Sequence, residues 1–203
     1  SSSISINTSG VKTIYMAIRA PMMKEPEAAT DVFDISAGLT GSSLPSYNSN
    51  FPVDMALTRR PASSENWNIQ SRMTGAQTLN TSTAAVEGGG DVERQWDYMN
   101  GWGDWTVNTS THYAWNWKRA KGYFDVVTYS GNATSGRAVP HSLGVAPEMM
   151  WVKSRDSGVQ SWRVYHASLG ATHGLILNAN NAAVDLNRLW NDTAPTNSSF
   201  IVG

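Results

Sequence analysis

Apolar and polar residues alternate in short runs along most of this chain, with almost no sustained three-to-four-residue period. Residues 3–6 alternate Ser-Ile-Ser-Ile, and residues 13–19 and 112–119 are β-branched and aromatic. Residues 124–129 and 149–153 read as well-buried strands. Residues 162–165 alternate again, and residues 174–178 make another apolar run. Runs of this length and composition predict strands. Turn-forming clusters separate them: Ser130-Gly131-Asn132, Asp156-Ser157-Gly158 and Asn178-Ala179-Asn180-Asn181. Glycine and proline interrupt most windows long enough for a helix; residues 25–30 allow a single helical turn. Short strands separated by frequent turns predict an all-β sandwich or barrel.

The pattern occurs twice. Ile18-Arg19-Ala20 returns as Lys118-Arg119-Ala120, and Val32-Phe33-Asp34-Ile35 as Tyr123-Phe124-Asp125-Val126. Asp54-Met55-Ala56-Leu57 returns as Glu148-Met149-Met150-Trp151. Trp67 answers to Trp162, Gly75-Ala76 to Gly170-Ala171, Leu79-Asn80 to Leu177-Asn178, and Trp96-Asp97 to Trp190-Asn191. Matches kept in this order point to an internal duplication. The expected fold is therefore all-β, with two tandem, pseudo-equivalent, sandwich-like halves, 1–103 and 104–203. Residues 15–104 and 113–203 are expected to share a strand order. The first copy carries three inserts: nine or so residues after Ala20, a Gly/Ser-rich loop at 36–50, and Glu87-Gly88-Gly89-Gly90-Asp91.

Composition narrows the function. Charged residues make up 15% of the 203 positions and the net charge is -1, so Ser, Thr, Asn and Gly must cover much of the surface. That balance suits extracellular and virion β-proteins. The basic residues are scattered, which argues against nucleic-acid binding. There is no cysteine, which excludes disulfides, thiolate metal sites and a cysteine nucleophile. A small extracellular domain usually leans on disulfides, so stability here is expected from core packing or from assembly with other copies. No apolar run approaches the ~20 residues of a membrane-spanning helix, and no signal peptide is visible. A chain beginning at Ser1 fits a processed or excerpted part of a longer one.

Candidate chemistry is sparse. Asp54 and Glu148, and likewise Asp34 and Asp125, occupy equivalent positions. A glycosidase needs two carboxylates facing one cleft, but an acid repeated in each copy is better explained by a turn or by pairing with Arg19, Arg119 or Lys153. The four histidines, His112, His141, His166 and His173, match no metal-ligand spacing. No nucleophile elbow or phosphate-binding loop occurs, so no enzymatic activity, metal or cofactor is expected. Six Asn-x-Ser/Thr sequons, beginning at Asn7, are explained as well by turn chemistry as by glycosylation.

The nine tryptophans are the strongest ligand signal, because aromatic faces stack on sugar rings. Trp67, Trp96, Trp162 and Trp190 are duplicated and are expected in the core. Trp115 and Trp117 share one strand face, and Trp151 is expected to be buried beside a sheet. Trp102 and Trp105 stand apart, in the glycine-rich junction Asn100-Gly101-Trp102-Gly103-Asp104-Trp105. Either they plug the interface between the halves or they face a ligand or partner chain; they are the candidate ligand-binding residues.

The stretch from Tyr129-Ser130-Gly131-Asn132 through Gly144-Val145-Ala146-Pro147-Glu148-Met149-Met150-Trp151-Val152-Lys153 is distinctive. So are Trp162-Arg163-Val164-Tyr165-His166 and the ending Trp190-Asn191-Asp192-Thr193-Ala194-Pro195-Thr196. Together these resemble a repeated β-domain of tail-fibre-like and other virion structural proteins of marine tailed bacteriophages. The resemblance extends over nearly the whole chain. It implies a structural part of a virion surface appendage, assembled with other copies of itself or neighbouring virion proteins and in contact with a host-surface glycan. It implies no catalytic residue, no nucleic-acid partner and no membrane insertion. The competing expectations are a carbohydrate-binding or adhesin module of a secreted protein, marked by an exposed coplanar Trp pair, and a glycan depolymerase, marked by carboxylates facing across a cleft.

Overall fold

The computed structural model describes residues 25–40, 44–89, 94–104, 109–185 and 187–203. Within them the chain is all-β. The strands are β1 (Phe33–Ala37), β2 (Tyr47–Asn48), β3 (Met55–Arg59), β4 (Asn68–Ser71), β5 (Leu79–Asn80), β6 (Arg94–Gln95) and β7 (Gly101–Asp104). They continue as β8 (Tyr113–Trp117), β9 (Arg137–Pro140), β10 (Met149–Val152), β11 (Arg163–His166), β12 (His173–Ile176), β13 (Val184–Asp185) and β14 (Ser199–Val202). One turn of α-helix, α1 (Asn187–Trp190), precedes the last strand, and a 3-10 turn at Ala29–Asp31 overlaps only the end of residues 25–30, where one helical turn is expected. The expected strands at 3–6 and 13–19 lie outside the described residues.

The strands form four antiparallel sheets, ordered β1-β8-β3-β4-β5, β2-β7-β6, β10-β11-β12-β13 and β14-β9. The first two face each other across a core of Tyr47, Phe51, Val53, Ala56, Trp96, Trp102 and Ala114. Trp102 on β7 is opposite Tyr47 on β2. Continuing the β6–β7 register by one residue sets Trp96 opposite Trp102 on the other side. The three rings therefore form a ladder across the small sheet, with centroids 4.8 Å and 5.0 Å apart and planes within 19° and 9° of parallel. The facing strands offer Ala56 and Ala114, so large rings pack against small residues and the layers interlock. Gly101 makes the close approach possible. Its φ is +147°, and a Cβ there would lie 2.1 Å from the Tyr47 carbonyl oxygen.

The meander β10-β11-β12 has the strand order of β3-β4-β5, but its third strand is two residues out of step with the expected match of Leu79-Asn80 to Leu177-Asn178: Leu79 stands opposite Ile69, whereas Leu175 stands opposite Val164. Met55 and Met149 open equivalent strands, and Trp67 and Trp162 each precede the next strand. The Trp67 carbonyl accepts from Thr81 N–H, and that of Trp162 from Leu177 N–H. Trp190 packs with Tyr165 and Ala171, against Met150 and Val152, as Trp96 packs beside Ala56.

The expected common strand order of 15–104 and 113–203 does not extend beyond this meander. Strand β8, which lies beyond the expected junction at Gly103, is inserted between β1 and β3. The division 1–103 and 104–203 therefore cuts through one sheet. Residues 124–129, expected as a buried strand, contribute only an isolated bridge, Ala120 with Phe124. There Asp125 turns the chain, its two carboxylate oxygens accepting from the N–H groups of Val126 at 2.9 Å and Ser142 at 2.8 Å. The C-terminal strand β14 is completed within its own fold by β9.

A seam joins the two meanders. Trp162 Nε1 donates to the Asn80 carbonyl at 2.7 Å. Arg155 donates twice to the Glu87 carboxylate, at 2.6 Å and 2.7 Å, and Glu87 N–H donates to the Arg155 carbonyl.

Candidate interaction surface

Strand alternation gives the five-stranded sheet an unusual polarity. Its inner, buried face carries Ala56, Thr58, Gln70, Ala114 and Asn116. Its outer face carries the larger apolar side chains, in a row across five strands: Ile35, Trp115, Leu57, Ile69 and Leu79 are cross-strand neighbours. Trp67 packs on Trp115 with centroids 4.8 Å apart, and the Arg59 guanidinium sits over the Trp67 ring. At the far end Phe33 and Phe124 cover Trp117. The other end is open, with Ile35 and Tyr113 about half exposed.

The second exposed feature is β10. It pairs with β11 on one side, and among the described residues nothing pairs with its other edge. Met149 and Trp151 point outward and are 53% and 41% exposed, with the Trp151 indole N–H directed at the Met149 sulfur. The expectation that this strand is well buried, and Trp151 with it, is therefore corrected. Met150 and Val152 pack on Tyr165 and Trp190, and among the described residues no strand covers the outward side. The flanking Glu148 is exposed, and its carboxylate has no partner among the described residues. Lys153 folds back to donate to the carbonyls of Ser154 and Ser157, and burial lowers its pKa.

Of the two candidate ligand-binding tryptophans, Trp102 is wholly buried. Both of its faces are stacked, and its indole N–H donates to Asn116 Oδ1 at 2.9 Å. It joins two layers of the first unit and has no surface for a ligand, because β7 is the central strand of the small sheet. Trp105 lies outside the described residues. Trp96, Trp162 and Trp190 are buried as expected, whereas Trp67 is only half-buried. The near-parallel Trp96–Trp102 pair is inside the core, and the outward Trp67–Trp115 pair is tilted by 46°.

Of the paired carboxylates, Asp54 and Asp125 are engaged separately. Asp54 lies 3.4 Å from Arg72 Nε and 3.5 Å from Arg119 Nε, and accepts from Arg119 N–H at 2.7 Å. Asp34 stands opposite Asn116 in the β1–β8 ladder. Asp125 and His141 line a shallow cleft of about 230 Å³ together with Arg119. His141 Nε2 is 3.2 Å from the Thr196 carbonyl, so it carries the proton, while Nδ1 accepts from Leu143 N–H. Both ring nitrogens thus face backbone groups. Among the described residues no three His, Asp or Glu side chains converge as a metal site would require. No described helix is long and apolar enough to cross a membrane.

These features define an all-β protein whose exposed chemistry is apolar surface and strand edge. The chain belongs to the family described as a domain of unknown function, DUF7483, whose model matches residues 58–203. No curated protein and no solved structure matches it. Sequence reasoning missed the β10 edge, because a run of Met-Met-Trp-Val reads as buried whichever side its neighbours occupy. The outward row was legible only in part, through the shared face of Trp115 and Trp117.

Proposed function

We propose that this chain is a structural β-module of a virion surface appendage, a tail fibre or related part, that works by assembling with other copies or neighbouring virion proteins. The observation that carries the assembly reading is β10, whose outer edge pairs with nothing among the described residues and which bears exposed Met149 and Trp151. Proteins usually protect such edges with charge, proline or a bulge, because open backbone groups recruit another strand. None of these devices interrupts residues 149–152. The resemblance to repeated phage β-domains supplies the virion setting. In such an appendage, weak contacts at each module add up through multivalency.

Light scattering and electron microscopy of the purified chain test this reading. Oligomers or filaments at micromolar concentration are expected; a monodisperse monomer at high concentration would overturn it. Exposed Trp151 favours a second reading, glycan binding. That reading expects saturable binding on a glycan array that is lost on Trp151→Ala.

A further inference from the structure

We propose that the open edge of β10 is the acceptor for residues 13–19 of a second copy, so that copies join head to tail by strand donation. This inference rests on the assembly reading and names its contact. Its precedent lies inside the chain. Strand β8, from beyond the junction, is inserted against β3 of the preceding meander, with Met55 opposite Trp117, Leu57 opposite Trp115 and Arg59 opposite Tyr113. The counterpart of β3 in the second meander is β10, and the counterpart of residues 113–119 in the sequence is residues 13–19. The first meander has its donor. The second has an acceptor edge and, among the described residues, no donor.

Transferring the β3–β8 register places Ala17 opposite Met149, Met16 opposite Met150, Tyr15 opposite Trp151 and Ile14 opposite Val152. Met16 and Ile14 then extend the buried side, where Met150 and Val152 already pack on Trp190 and Tyr165. Tyr15 covers Trp151, an aromatic cross-strand pair of the kind that stabilises sheets. The charges agree as well. Arg119, just after β8, pairs with Asp54, just before β3. The same register brings Arg19 to Glu148, whose exposed carboxylate has no partner among the described residues. Backbone pairing would provide affinity, and the alternating side chains would set register, as in other strand-addition complexes. A donor and an acceptor at different places on one molecule make a heterologous contact, which generates a chain of subunits or a closed ring.

The test uses the full chain, which has no cysteine of its own. Residues directly opposite in an antiparallel pair lie within disulfide reach. Tyr15→Cys combined with Trp151→Cys is expected to give a ladder of disulfide-linked multimers on non-reducing gels, whereas Tyr15→Cys combined with Val152→Cys, which faces the other side, loses the ladder. A cross-link confined to single chains would show that a copy's own residues 13–19 fill its edge, and would overturn the proposal. Absence of any cross-link, with light scattering still reporting oligomers, overturns this contact and leaves the assembly reading standing; a monomer overturns both. The unsubstituted chain gives a second measurement: a labelled peptide of residues 11–20 is expected to bind it and shorten its assemblies. Failure of the peptide to bind would sink the proposal even if the cysteine variants do not fold.

Discussion

The indole N–H of Trp102 donates to Asn116 Oδ1 across 2.9 Å in a core where neither side chain is exposed to solvent. Asn116 in turn donates to Ser36 Oγ at 2.9 Å, so one buried amide ties β7 to β8 and β8 to β1. Removing it leaves the indole donor buried and unpaired. Asn116→Ala is expected to lower stability by about 1–3 kcal/mol, and Trp102→Ala by about 3–5 kcal/mol through the cavity it opens. Urea denaturation followed by tryptophan fluorescence measures both. Stability unchanged in Asn116→Ala would show that water replaces the amide.

Gly101→Ala should be among the most damaging small substitutions in the chain. The added methyl would meet the Tyr47 carbonyl oxygen at 2.1 Å, at a φ of +147° that side chains rarely adopt. Separation of β2 from β7 is expected, with loss of the near-ultraviolet circular dichroism that the Tyr47–Trp102–Trp96 stack produces. A variant with wild-type spectrum and melting temperature would contradict this.

Tyr47 should make the protein sensitive to alkali. Burial, and then the nearby Asp104 carboxylate, raise the pKa of its phenol. A phenol protonated in the folded state and ionised in the unfolded state contributes stability that is complete below the ordinary tyrosine pKa of about 10. That contribution is lost as pH rises further, because the unfolded chain then binds fewer protons. Tyr47→Phe is expected to flatten the fall in stability between pH 9 and pH 11, roughly the range bracketing that value. Equal slopes in wild type and variant would refute the assignment.

Two tryptophans of the second meander should respond in opposite ways. Trp162 is buried and bonded to the Asn80 carbonyl, so Trp162→Ala should cost about 3–5 kcal/mol. Trp162→Phe, which removes mainly the seam hydrogen bond, should cost about 0.5–1.5 kcal/mol. Trp151, on the exposed edge, should tolerate Trp151→Ser within about 0.5 kcal/mol of wild type when measured on dilute monomer. A large loss at Trp151 under those conditions would show that its ring supports the fold itself.

Much of the architecture was legible because it follows from periodicity and turn chemistry. The strands at 113–117, 149–152, 163–166 and 173–176 fall on the runs of apolar, aromatic and β-branched residues that predict them, and three of the four tryptophans matched between the halves are buried. The failures share a cause. Alternation shows which residues share a face, but not which face is covered. In β8 the buried residues are Ala114 and Asn116, while Trp115 and Trp117 look outward. That inversion exists because the small sheet supplies its own large rings, which need small partners and one amide opposite them. For Trp102 the sequence left a buried plug and an exposed contact both open; its stacking between Tyr47 and Trp96 makes it a core residue, and Gly101 is there to let two backbones meet. The pairing of β8 with β1 and β3, from across the expected junction, is a long-range contact that no local pattern records.

The position of β8 also determines how the molecule would carry tension. Its chain runs on into the second meander, yet it is hydrogen-bonded on both sides, to β1 and β3, within the first sheet. A pull applied through the downstream chain would load those two ladders lengthwise, so that many backbone bonds resist together instead of opening one at a time. The first sheet would thus act as a clamp on the segment leading to the second, and extension would begin elsewhere, in loops and seam contacts, before that grip was released.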